Sequence, residues 1–246
     1  VAGPRQLPAA KVEWRLVDAI LSGTYPPGGT LPAERELAHG LGVARPTLRE
    51  ALHRLASQGW ITIRQGRPTV VNDYWTTGNP RLLGALAEHP ERLPGPFVGW
   101  LLEARLALAP AYARAAVREA AAQVVALLAG AESLTPDPHS YACFDWELHR
   151  ALARLGGNPV YTLILNGFEE LYARLAPRYF ERAEGRAFSR RFYARLLDAA
   201  MDRNPAAAER VTCRAMAVSI RLWKRLDRER AVGTPATPGS EAPTGR

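Results

Sequence analysis

RPTLREALHRLASQ, Arg45–Gln58, followed by GWITIRQGRPTVV, Gly59–Val71, changes its hydrophobic period partway along. In the first part Leu48, Leu52 and Leu55 fall at i, i+4 and i+7, one apolar stripe of a helix. Gly59 is a helix stop. Beyond it Trp60-Ile61-Thr62-Ile63 and Thr69-Val70-Val71 read as two short strands around a turn at Arg64–Arg67. Upstream, Val12, Leu16, Ala19 and Ile20 recur at helical spacing between about Ala9 and Gly23, and Tyr25-Pro-Pro-Gly-Gly29 breaks the chain. A short helix then enters at Pro32, places Glu34 and Glu36 in its first turn, turns Leu37 and Leu41 inward and closes at Gly40 and Gly42. Three helices and a two-stranded wing make residues 1–71 a winged helix-turn-helix.

The polar side of that unit has a chemistry of its own. Arg45, Arg49 and His53 fall at i, i+4 and i+8, away from the leucine stripe. A helix greasy on one face, with arginine at successive turns near its N-terminus, suits insertion into the DNA major groove. The helix dipole favours phosphate there, and guanidinium forks match guanine O6 and N7. The same spacing describes an ordinary amphipathic surface helix, so the neighbours decide. Arg35 opens the preceding helix, where it reaches toward the sugar–phosphate backbone. Gln65, Gly66 and Arg67 tip the hairpin, where glycine permits close approach and arginine suits a minor groove. The formal net charge of +8, almost all of it arginine, favours a polyanionic partner.

The remainder reads as a second unit. Residues 72–79 form a linker containing Tyr74 and Trp75, and beyond Pro80 every periodic segment is helical. Breaks near Pro94–Pro96, Thr135–Pro138, Gly156–Pro159, Glu184–Gly185 and Asn204–Pro205 divide 80–230 into an all-α bundle of about six or seven helices. The first eight residues read as frayed, and 231–246 as a disordered tail poor in groups to bury. No apolar run approaches the roughly 20 residues that span a bilayer, so a soluble cytoplasmic protein with no membrane contact is expected. Cys143 and Cys213 lack metal-ligand spacing and are expected to be small buried apolar residues.

The run Tyr25-Pro-Pro-Gly-Gly-Thr-Leu-Pro-Ala-Glu-Arg-Glu-Leu-Ala38, with Gly42-Val-Ala-Arg-Pro-Thr-Leu-Arg-Glu-Ala-Leu52 and Leu55-Ala-Ser-Gln-Gly-Trp-Ile61, resembles the GntR family of bacterial regulators. The resemblance implies a homodimer on a near-palindromic double-stranded DNA operator, with Arg35, Arg45, Thr47, Arg49, Gly66 and Arg67 as DNA contacts; position in the wing adds Gln65. Ala44 and Pro46 stand where the family more often has Ser or Thr. Ala44 loses a capping hydroxyl, at a cost of about 1 kcal/mol, while Pro46 is suited to a first turn.

Gly66-Arg-Pro-Thr-Val-Val-Asn-Asp-Tyr-Trp75, Gly157-Asn-Pro-Val-Tyr-Thr-Leu-Ile-Leu-Asn-Gly167 and Leu171-Tyr-Ala-Arg-Leu-Ala-Pro-Arg-Tyr-Phe180 extend the resemblance to the FadR branch of that family. It implies a regulator of fatty acid metabolism, repressing degradation genes and activating synthesis genes. It also implies no cofactor, long-chain acyl-CoA as the effector, and release of DNA when the effector binds. Position by position it assigns Leu102, Arg105, Tyr179, Tyr193, Ser219 and Trp223 to the effector site. By spacing alone, Met216, Ser219, Ile220 and Trp223 share one helix face, a pattern that bundle core also produces.

Asp145 and His149, four apart on a helix, open two other readings. Metal-dependent members of the wider branch, which answer small carboxylates, resemble one another in adding two later histidines. Here Tyr193 and Ala215 stand in the corresponding stretches and no histidine follows His149, so no metal is expected. A hydrolase using the pair as acid and base lacks a nucleophile, phosphate loop or oxyanion site, and no catalytic residue is expected. His149 and Met216 also replace smaller or apolar groups expected in that branch, and Met216 is placed to shorten the effector cavity.

Overall fold

The computed structural model of the chain describes residues 8–233. Of the segments read as frayed (the first eight residues) and as a disordered tail (231–246), residues 1–7 and 234–246 lie outside the described residues, while 231–233 instead continue the last helix, Pro205–Gly233. The first helix, α1 (Ala9–Leu21), packs Val12, Leu16, Val17 and Ile20 against α3 (Arg45–Gln58), whose Leu48, Leu52 and Leu55 are fully buried. Between them α2 (Glu34–Leu41) ends on Gly42, whose φ of 67° lets the chain turn sharply into α3 within three residues. Strands β1 (Ile61–Thr62) and β2 (Val70–Val71) pair antiparallel, Ile61 opposite Val71, with Gly66 at φ 71° in the intervening tip. Thr30 bridges Val70 and lends the wing a third backbone contact. The strands are shorter than the sequence predicts: the Trp60 N–H bonds back to Leu55 O at the end of α3, and pairing ends at Thr62 opposite Val70.

Residues 72–79 are not a loose connection. Asp73 caps a four-residue helix, α4 (Tyr74–Thr77), by accepting from the Trp75 amide. Asn72 Nδ2 donates to Gly59 O at 2.9 Å, and Asn79 Nδ2 to Ser57 O at 2.8 Å. These bonds stitch the segment to the C-terminus of α3. Gly59, at φ 96°, lies so close to Gly78 that a β-carbon there would meet its Cα at 2.9 Å.

Seven helices follow residue 80 among those described: α5 (Leu82–Ala87), α6 (Phe97–Ala129), α7 (Pro138–Leu155), α8 (Pro159–Asn166), α9 (Glu169–Phe180), α10 (Ala183–Met201) and α11 (Pro205–Gly233). The long α6 accommodates Pro110 and kinks at Ala120, and it packs along α7, α10 and α11. Two expectations are corrected. The break expected at Glu184–Gly185 falls at Glu181–Arg182 instead. Gly185 is inside α10 because only a residue without a β-carbon fits against the Tyr179 carbonyl, 2.5 Å from where that carbon would stand. Cys143 and Cys213 are exposed, since Tyr141, Ala142 and Asp145 on α7, and Thr212 and Ala215 on α11, already occupy the inward positions.

The core of the winged unit does not stop at the wing. Leu82, Leu86 and Ala87 of α5, Phe97 of α6, and Leu171 and Leu175 of α9 belong to the same buried cluster as Val12, Leu48, Trp60 and Val71. A ladder of rings follows the same route: Trp60 to Tyr74 at 4.8 Å, Tyr74 to Trp75 at 5.3 Å, and Trp75 to Phe97 at 5.8 Å. No described helix is long and apolar enough to cross a membrane.

Candidate nucleic-acid interface and buried cavity

The leucine stripe that buries one side of α3 leaves its other side to solvent. Arg45, Arg49 and His53 are exposed there and Thr47 is half-buried; Arg35 is exposed at the start of α2. Gln65, Gly66 and Arg67 are exposed at the wing tip. No side chain caps α3: Ala44 stands at the N-cap with no side-chain bond and Pro46 lies in the first turn. Pro46 has no N–H, so the Arg45 and Thr47 amides are the ones left without a capping side chain at the start of α3, an arrangement suited to a phosphate oxygen. Arg49 is not free. Its Nε donates to Glu34 Oε2 at 2.7 Å, a link between α2 and α3 that periodicity does not show because the residues lie fifteen apart.

The second site lies inside the helical bundle, a cavity of about 120 Å³ between α6, α7, α9, α10 and α11. Leu102, Arg105, Tyr179, Ser219 and Trp223 line it, together with Met216. Tyr193 is not on the wall; it stands behind Asp145, wholly buried. Most of the lining is aliphatic or aromatic, with polar groups in two places. At one, the Tyr179 hydroxyl and Ser219 Oγ are 3.5 Å apart, and Ser219 also donates to Ala215 O at 3.0 Å.

At the other, Asp145 gathers three donors. It accepts from Arg105 Nη2 at 2.5 Å, from the Tyr172 hydroxyl at 2.6 Å and from the Tyr193 hydroxyl at 2.9 Å. Burial works against the Asp145 carboxylate, but Arg105 and these hydrogen bonds outweigh it and hold the carboxyl at about 2. Burial likewise opposes the Arg105 charge, and Asp145 more than restores it. Burial also raises the Tyr172 and Tyr193 hydroxyls, so both remain donors at neutral pH.

His149 is the neutral neighbour of this group. Its Nδ1 is hydrogen-bonded to the Tyr112 hydroxyl at 2.7 Å, while its Nε2 is 3.9 Å from Asp145 Oδ2. Burial, reinforced by the Arg105 charge, depresses its pKa to about 3. Of the pair that opened a metal reading, the carboxylate is held by a guanidinium and two phenols and His149 Nδ1 by a third phenol, while His149 Nε2 is buried without a hydrogen-bond partner. Tyr112 and Tyr172 were not anticipated from the sequence. Each belongs to an apolar helix face, and nothing in the spacing separates a core tyrosine from one aimed at a carboxylate.

Cavity and winged unit share a wall. Leu171 and Leu175 line the cavity and are also members of the core cluster that runs up to Leu48 and Trp60. Helix α9 therefore belongs both to the cavity wall and to the core cluster of the winged unit.

Two family models together match nearly the whole described chain. "Bacterial regulatory proteins, gntR family" matches residues 8–71, and "FadR C-terminal domain" matches residues 72–231. A fatty acid metabolism regulator protein of Shewanella frigidimarina is 41% identical over 220 residues, 89% of this chain and 92% of the relative. One from Shewanella halifaxensis is 44% identical over 198 residues, 80% of this chain and 82% of the relative. Among solved structures, one described as Lar, which controls expression of the Listeria monocytogenes agr system, aligns with a TM-score of 0.62 at 19% identity. That alignment covers 91% of this chain and all of the other, and supports the fold.

Proposed function

The chain belongs to the GntR family of bacterial regulatory proteins and carries the FadR C-terminal domain, and from that premise we propose a homodimeric, cytoplasmic regulator of fatty acid metabolism whose operator affinity falls when long-chain acyl-CoA binds. In this reading it represses fatty-acid degradation genes and activates synthesis genes. Arg35, Arg45, Arg49, Gln65, Gly66 and Arg67, all exposed, and the half-buried Thr47 hold the operator, α3 lying in the major groove and the wing tip over the backbone and minor groove. The observation that carries the effector half is the cavity itself, an apolar space whose few polar groups are concentrated at Arg105–Asp145 and Tyr179–Ser219. An acyl chain has the apolar wall as its partner, and the thioester carbonyl has hydroxyl donors.

Release follows from differential binding: the effector acts only insofar as it favours a placement of the two recognition helices that no longer matches adjacent half-sites. Helix α9 supplies the route, because an occupant that moves Leu171 or Leu175 disturbs the core beneath α3. The test is an operator gel shift across acyl-CoA chain lengths at fixed salt. Loss of the complex at long chain lengths supports the reading, and unchanged binding at saturating ligand rejects it.

A further inference from the structure

Away from both sites, three potential ligand side chains meet where α1 faces the segment following α5. His89 is 1% exposed, and its Nδ1 is 3.8 Å from Asp18 Oδ1 and 3.9 Å from Glu91 Oε1. That nitrogen is buried and has no hydrogen-bond partner. The gaps are too long for an N–H bond to either carboxylate. If the nitrogen presents its lone pair, it faces two acceptors, an arrangement that a cation between them relieves. Among the described residues this is the one group of three or more His, Cys, Asp and Glu residues with ligand atoms so placed, all within 4.8 Å of one another.

We propose that Asp18, His89 and Glu91 bind a divalent transition-metal ion of the zinc class, and that the ion ties the DNA-reading unit to the helical bundle. One imidazole nitrogen and two carboxylate oxygens suit zinc, whereas magnesium and calcium prefer oxygen alone. Two ligand atoms on a tetrahedral zinc ion are about 3.4 Å apart, given bonds of about 2.1 Å, so closure asks the two gaps to His89 to shrink by about half an ångström each and the carboxylate pair, within 4.8 Å, by up to about 1.4 Å. Glu91 is exposed and can supply most of that movement.

The surroundings favour a neutral ligand on one side and a rigid one on the other. Burial lowers the His89 pKa despite Asp18, Glu91 and Glu88, which leaves the ring uncharged near neutrality with a lone pair to give. The ring is held by stacking on Trp14, with centroids 4.7 Å apart. Arg92 is the competitor: its Nε donates to Asp18 Oδ1 at 2.9 Å and its Nη2 to Oδ2 at 3.4 Å. Asp18 has two oxygens, so it gives Oδ1 to the ion and keeps Arg92 on Oδ2. Asp18 belongs to α1 of the winged unit, while His89 and Glu91 follow α5, so the bound ion crosslinks the two.

The experiment uses the full chain stripped with a chelator, titrated with zinc by calorimetry and followed by thermal melting. One zinc per chain and a raised melting temperature are expected, with no response to magnesium. Glu91→Gln should weaken zinc binding by about tenfold or more and leave melting of the stripped protein unchanged, and His89→Gln should abolish binding. Absence of zinc binding in the unsubstituted chain overturns the proposal. So does undiminished binding in Glu91→Gln together with His89→Gln, which would move the ion elsewhere, for example to the exposed thiols of Cys143 and Cys213. Melting that responds to pH through His89 but not to zinc overturns it too, making the ring a proton site.

Discussion

Arg49 Nε, on the exposed face of α3, is held 2.7 Å from Glu34 Oε2 in the first turn of α2. The two side chains remain 63% and 39% exposed, so the pair adds little to stability, but it fixes where the guanidinium points. Arg49→Ala should cost about 1–3 kcal/mol in operator binding and less on unrelated DNA, if the arginine reads a base. Glu34→Gln should do the reverse, raising affinity for unrelated DNA and narrowing the specificity ratio, since it frees the arginine and removes a negative charge near phosphate. Fluorescence anisotropy on operator and scrambled duplexes at one salt concentration separates the two; an equal loss on both sequences in Arg49→Ala would reassign that residue to phosphate.

Removing Arg105 should be expensive in a way its exposed counterparts are not. Arg105→Met leaves the Asp145 carboxylate buried with two phenols and no cation, and a loss of about 3–5 kcal/mol is expected in urea unfolding. Adding Asp145→Leu to the same chain should recover much of that loss, because it removes the stranded charge. If the double variant is no more stable than the single one, the pair is doing something other than balancing charge.

His149 sets an acid limit on stability. Its pKa falls from about 6.5 unfolded to about 3 folded, so between those values the unfolded chain binds the additional proton. Its contribution is complete above about pH 6.5 and is lost as pH falls toward 3. Asp145, depressed to about 2, adds a further loss below about pH 4. Melting temperature measured from pH 7 to pH 4.5 should therefore decline, and His149→Gln should flatten that decline.

Gly59→Ala tests the contact between α3 and residues 72–79. The φ of 96° strains any side chain, and the new carbon would press on Gly78 Cα. A destabilisation of about 1–3 kcal/mol is expected. If the seam transmits the effector's action, residual DNA binding by this variant should respond less to acyl-CoA than that of the unsubstituted chain. Equal responses would place the transmission wholly in α9.

Met216 is buried on the cavity wall, where its side chain takes up room. Met216→Ala should lower stability by about 2–5 kcal/mol and shift effective acyl-CoA toward longer chains. An unchanged chain-length profile in the gel shift would remove Met216 as the residue that sets the limit.

The winged unit was legible because its signals are local: a leucine stripe, a glycine that stops α3, and a switch of period within a few residues. The exposed arginines of α3 and the wing could be picked out for the same reason. The Asp145 network was not, because its three donors come from three helices other than its own and each tyrosine satisfies the apolar pattern of its own helix. Cys143 shows the same limit from the other direction: apolar character alone does not say which face of α7 is already full. Gly185 does so again, since a glycine required by the Tyr179 carbonyl reads in sequence as a break.

The shared membership of Leu171 and Leu175 divides the cavity wall into two kinds of ground for evolutionary change. If the effector acts through α9 as proposed, substitutions there alter ligand fit and DNA response together, so few of them would be neutral for both. Met216, Ser219 and Trp223 on α11 lie outside the cluster beneath α3, and changes there re-tailor the pocket with less disturbance to the switch. Descendants of this architecture should therefore acquire new effectors by drifting along α11 while α9 stays nearly fixed.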